Sequence, residues 1–142
     1  MHGPDENRHD FYHTIHKALR LGHCRMLTAL GANDFNNETK THDLMASLRG
    51  LILLGRTHLE SENREIHTAL EVRAPGASTH AAVDHIHHEQ AFVELESLVR
   101  AVEVAVNSRR CIAGRALYKR YAVFAAADLY VHPECGCTTS AL

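Results

Sequence analysis

Apolar residues return every three or four positions through four long blocks of this 142-residue chain, and short runs of helix-breaking residues separate the blocks. That period is helical, and no block carries the alternation of a strand. The first block predicts a helix over about 10–30, stopped at Gly31, and the polar run 32–40 predicts a loop. A second helix is expected over about 41–70, where Gly50 and Gly55 suggest close packing or a gap near a site. Residues 74–78, with Pro75 and Gly76, form a turn, and a third helix is expected over about 79–106. Asn107 and Ser108 make a short turn and cap before a fourth helix over about 109–131, which Pro133 stops, leaving 132–142 as a tail. At this length 1–142 is one domain, long enough to bury a core without a disulfide or metal staple. Four amphipathic helices with mostly short loops predict an all-α fold, an up-down-up-down antiparallel four-helix bundle.

The buried stripes can be read off the period. The first helix offers Tyr12, His16, Leu19, His23, Met26 and Leu30; the second offers Leu44, Leu48, Leu51, Gly55, His58, Glu62 and Ile66. The third offers His85, His88, Phe92, Leu95, Val99, Val102 and Val106, and the fourth Leu117, Tyr121, Phe124 and Asp128, with Val131 and His132 at its end. The four stripes therefore carry histidines or a carboxylate in line with Leu, Val and Phe, and a core must satisfy such groups by pairing, solvent or a metal. The chain has 13 histidines, an excess that itself points to metal or proton chemistry.

In an antiparallel bundle the starts of helices one and three face the ends of helices two and four. His16, His58, Glu62, His85, His88 and His132 then all fall at one end. His58 and Glu62 are an i,i+4 pair on one helix face, and His85 and His88 an i,i+3 pair. Imidazole with carboxylate suits iron, zinc, manganese or copper. His87 is rotated toward solvent; His2, His9, His42 and His80 are read as surface residues, and His13 and His67 lie off the stripe. His23 shares the His16 stripe about 10 Å deeper and is expected to pack in the core with a hydrogen bond. Asp84, i,i+4 to His88, could orient an imidazole.

Other classes are argued against. A formal net charge of −2 gives no basic footprint for nucleic acid. No apolar run is long enough to span a membrane, and the polar start is not a signal peptide, so the expectation is a cytoplasmic protein with reduced thiols. Cys24 and Cys111 fall in apolar patterns and are expected to be buried, while Cys135 and Cys137 lie in the tail. A ferritin-like oxidase needs a Glu-x-x-His motif on each of two helices. The chain has that spacing only at Glu6 and His9, so a binding or sensor protein is expected rather than an enzyme.

The segments around His16 (15–20), from His58 to His67, and 82–88 resemble bacterial hemerythrin-like (HHE cation-binding) domains. The connection 70–78 and the stretch 116–124 are similar to one branch of that family, and the resemblance covers roughly 10–132. It implies a four-helix bundle holding a non-haem iron pair bridged by oxygen and carboxylate, which binds dioxygen or another small diatomic ligand, senses oxygen or redox state, or handles iron. By position, His16 matches the first-helix histidine. His58 and Glu62 match the second-helix pair, with Glu62 bridging two metals. His85 and His88 match the third-helix histidines, and His132 stands for the fourth-helix histidine. The fourth helix departs from the family pattern. Val131 occupies the expected histidine position, His132 follows one place late before Pro133, and Glu134 is the nearest candidate for the second carboxylate. A mononuclear iron or zinc site, or a metal-free bundle acting through protein contacts, is therefore the alternative reading. A homodimer or a signalling partner also stays open.

Overall fold

The computed structural model describes residues 4–73 and 79–130, with side chains described outside 4–13, 63, 65–71, 73, 79–85 and 128–130. Four helices occupy it: α1 (Pro4–Ala32), α2 (Glu38–Arg73), α3 (Thr79–Val104) and α4 (Ser108–Tyr130), with no strand among the described residues. Each packs on two others, in a ring α1–α2–α3–α4, so the architecture is a four-helix bundle. Between α2 and α3, residue numbers that rise along one helix fall along the other. Arg49 meets Glu103 and Arg56 meets Glu96 across α2 and α3; Arg120 meets Glu94 across α3 and α4.

The helices depart from their expected bounds for local reasons. α1 starts at Pro4 rather than near Asp10, because a helix propagates into polar residues once its apolar stripe is packed. Proline suits the first helical turn, where its missing N–H costs nothing. α2 starts at Glu38 because Asn37 caps it: the Asn37 Oδ1 accepts the Lys40 N–H at 3.0 Å. The turn before it is tied by Asp34, whose carbonyl accepts the Asn37 N–H at 2.9 Å and whose Oδ1 accepts the Asn36 N–H at 3.0 Å. α3 ends at Val104, short of the expected 106, and Asn107 turns the chain with φ 53°, a left-handed conformation that asparagine tolerates.

Leu30, Met45, Leu48, Leu95, Val99, Val102, Leu117 and Tyr121 are fully buried, and with Met26, Phe35, Ile52, Leu59, Phe92, Phe124 and Ala125 they form one apolar cluster. Each large member stabilises the fold by about 1.5–3 kcal/mol. Among the described residues the expected stripes hold on α1, α3 and α4 with two corrections, while Tyr12, His85, Asp128, Val131 and His132 lie outside the described side chains. Val106 lies beyond α3 and is 63% exposed, and Cys24 is exposed rather than buried. On α2 the buried line is Met45, Leu48, Ile52, Gly55, Leu59 and Glu62, so the stripe is centred one residue later than expected in places. Gly55 is a close-packing site: a Cβ there would stand 3.0 Å from the Phe92 ring. Gly50 faces open space, so the same expectation fails for it. Phe35, expected in a polar loop, is buried against Gly114, where a Cβ would lie 2.5 Å from its ring.

Candidate metal centre

Three side chains from two helices converge near mid-length of α1 and just past mid-length of α2. α1 supplies His16, and α2 supplies His58 and Glu62 from successive turns. The His16 Nε2 lies 2.9 Å from the Glu62 Oε1, the His58 Nε2 lies 2.9 Å from the same oxygen, and the two nitrogens are 2.8 Å apart. The imidazoles stand at 89° to each other with centroids 4.7 Å apart. Both α2 side chains are nearly enclosed, at 9% exposure for His58 and 7% for Glu62, while His16 is 28% exposed and faces the rim.

Protons alone cannot satisfy all three edges of this triangle. An imidazole nitrogen has a single in-plane direction, used either by its lone pair or by its N–H. If both Nε2 atoms carry protons aimed at the carboxylate, the nitrogen–nitrogen edge sets donor against donor. If neither does, three lone pairs face one another. A cation above the triangle satisfies all three atoms together. Ligands at about 2.0–2.1 Å on adjacent vertices of an octahedron lie about 2.9 Å apart, which matches the observed edges. The residues thus fit one triangular face of a metal's coordination sphere, with two imidazoles and one carboxylate and the opposite face open to other ligands.

Burial by itself would push the Glu62 carboxyl up. Hydrogen bonds from His16 and His58, with the charge on those rings, outweigh it and hold the carboxyl far below the usual carboxylate range. The oxygen at the centre of the triad is therefore anionic at neutral pH, as a metal ligand must be.

The other sequence candidates stand as follows. His88 is half-buried on α3 and is not a member of the close triad. His85 belongs to α3, but its side chain lies outside the described residues, as do those of Asp84, His13, His67 and Asp128; His132 lies outside the described residues altogether. His87 and His42 are exposed, as expected. His23 is buried and hydrogen-bonded, Nδ1 to Tyr121 Oη at 2.6 Å. Period alone marked both residues as core but not as partners, since that depends on the α1–α4 register. Arg56 beside the site was also missed. Its Nη1 donates to the Glu96 Oε1 at 2.8 Å, its Nε stands 3.1 Å from the Glu89 Oε1 without hydrogen-bond alignment, and its guanidinium lies over the Phe92 ring at 5.8 Å. No described helix is long and apolar enough to cross a membrane. Compared with protein-family models, curated proteins and solved structures, the chain matches none.

Proposed function

We propose that this chain is a hemerythrin-like metal-binding protein, an up-down-up-down bundle that holds non-haem iron for dioxygen binding, oxygen or redox sensing, or iron handling. The observation that carries this reading is the His16–His58–Glu62 triangle, whose three donor atoms lie close enough to share one cation. In the proposal these residues form one half of an iron pair, with Glu62 reaching both metals. His85, His88 and His132 supply the other half from α3 and the chain beyond α4. Bound iron would supply a site at which a small diatomic ligand exchanges electrons. The protein's part is to keep Glu62 ionised, hold the two rings at fixed angles, and limit water with Leu19, Leu59 and Phe92, all buried.

A single iron or zinc on the triad is the second reading. It is favoured by the convergence of three described donors on one point and by the departures from the family pattern around His132. Elemental analysis of the full chain expressed with iron, with the visible spectrum in air, tests both. Two irons per chain with an oxo-bridge band support the pair, and one metal supports the single site. A folded chain that takes up no metal overturns the proposal.

A further inference from the structure

The metal triad makes no use of the buried pair His23–Tyr121. His23 stands two turns beyond His16 on the same face of α1, about 10 Å along the axis. It is 3% exposed and Tyr121 is fully buried. The phenol is the stronger acid of the two, so its O–H donates to the His23 Nδ1, 2.6 Å away. Phe124 is edge-on to His23 at 5.3 Å and tilted against Tyr121 at 5.9 Å, and Phe92 packs on Phe124 at 5.5 Å. Phe92 also lies against Gly55, one turn before His58. A continuous aromatic column thus links the turn beneath the triad to Tyr121.

Two polar groups in this layer need a reason, because a well-packed apolar pair serves stability as well or better. A phenol in a dry core can give up an electron only if its proton leaves with it, since an uncompensated charge there is costly. The His23 Nδ1 is a base already seated on that proton. We propose that Tyr121, with His23 as its proton acceptor, is a one-electron donor to the metal triad during reduction of hydrogen peroxide. This rests on the single-iron reading above, in which the triad supplies one electron. In the step, the peroxide O–O bond breaks and takes two electrons and two solvent protons to give two waters. One electron comes from the ferrous ion, which becomes ferric. The other comes from Tyr121, whose O–H bond breaks to leave a neutral phenoxyl radical while the proton forms a new N–H bond on His23. The pair lets a single-electron metal complete a two-electron reduction without releasing a hydroxyl radical.

The full chain, loaded with ferrous iron and checked for metal content, would be mixed with hydrogen peroxide, frozen and read by electron paramagnetic resonance. A tyrosyl signal is expected that Tyr121→Phe removes. His23→Gln, which keeps an acceptor oxygen but no base, should lower it by about a hundredfold. The triple variant Tyr12→Phe, Tyr118→Phe, Tyr130→Phe retains Tyr121 as its sole tyrosine and should keep the signal, so the assignment survives even if Tyr121→Phe does not fold. A loaded protein with no tyrosyl signal, or a signal indifferent to His23→Gln, overturns the proposal. Photo-oxidation of the metal-free chain by a soluble ruthenium complex separates the two readings. If iron does not load, the metal reading fails by itself, and a Tyr121 radical dependent on His23 still supports the pair, whereas its absence overturns it.

Discussion

At the end of the bundle closed by the 33–37 turn, Phe35, Met45, Val102 and Leu117 belong to the apolar cluster, and the two buried polar side chains beside them are satisfied, the Arg110 Nη1 donating to the Phe35 carbonyl and the Thr41 hydroxyl accepting from Asn33. About 25 Å further along α2 by helix rise, His58 and Glu62 are enclosed almost as well, yet they turn nitrogen and oxygen toward one another. Equal burial serves different purposes in the two regions. Apolar surface removed from water stabilises the first at roughly 25 cal/mol per Å². The second buries a carboxylate, a group whose replacement by well-packed apolar side chains is commonly neutral or stabilising. In the metal-binding reading, the apolar end sets whether the chain folds and the polar cluster sets what it binds. Perturbing one should leave the other's readout unchanged.

The largest expected effect comes from the apolar end. Leu48→Ala removes a fully buried side chain and should cost about 3 kcal/mol in denaturant unfolding of the metal-free chain. Metal affinity of the protein that remains folded should not change; a parallel fall in affinity would break the division between the two regions. The mirror experiment is Glu62→Gln, which keeps shape and removes charge. It should weaken metal binding by about a hundredfold or more by calorimetry, with a smaller effect on the metal-free fold.

Acid sharpens the same contrast. Because the folded-state pKa of Glu62 lies below its ordinary value, the carboxylate contributes stability at neutral pH that is lost as pH falls below about 4.5 toward the folded value. Glu62→Gln should flatten that loss in acid-unfolding curves of the metal-free chain, and Leu48→Ala should shift the curve without changing its slope. Metal affinity should fall earlier, between about pH 7.5 and 5, because protons compete with the metal for imidazole nitrogens. Affinity constant over that range would remove the histidines from the ligand set.

A finer probe is Gly114→Ala. The added Cβ would stand 2.5 Å from the Phe35 ring, so the ring or the α4 backbone must move, at about 2 kcal/mol. The measurement is thermal unfolding, and an unchanged midpoint would mean that the 33–37 turn yields freely and does not close the apolar end.

Four helices and most of their buried faces were legible in the sequence because each helix buries a stripe whose period survives without knowledge of its neighbours. His16, His58 and Glu62 were legible for a related reason: their positions along antiparallel helices put them at one height. Phe35 was not, because a single aromatic in a run of Asn and Asp has no period, and its burial depends on a glycine 79 positions away on α4. The second helix, expected from about Thr41, starts at Glu38 because the Asn37 side chain caps it at the Lys40 N–H, a contact that no period reveals. The pairing of His23 with Tyr121 required the rotation of α4 against α1, which no local pattern encodes.

The smallest effect is expected from the ion pairs on the α2–α3 surface. The Arg49 Nε donates to the Glu103 Oε2 at 3.2 Å, and its terminal nitrogen bonds the other carboxylate oxygen, a bidentate arrangement. The side-chain hydrogen bond is the main reason the Glu103 carboxyl is lowered and the Arg49 guanidinium raised from their ordinary values. Arg49 is nevertheless 42% exposed and Glu103 28%, so solvent and salt screen most of that attraction. A double-mutant cycle of Arg49→Ala and Glu103→Ala should give a coupling of about 0.5 kcal/mol that fades at high salt. Arg56, whose guanidinium is shared between two carboxylates and the Phe92 ring, should couple to Glu96 more strongly and with less salt dependence. Equal couplings would mean that neither exposure of the arginine nor contact with the aromatic layer governs these pairs. Arg56 is less exposed than Arg49, 24% against 42%, but Glu96 is more exposed than Glu103, so the difference between the two couplings isolates what the Phe92 ring and the second carboxylate contribute.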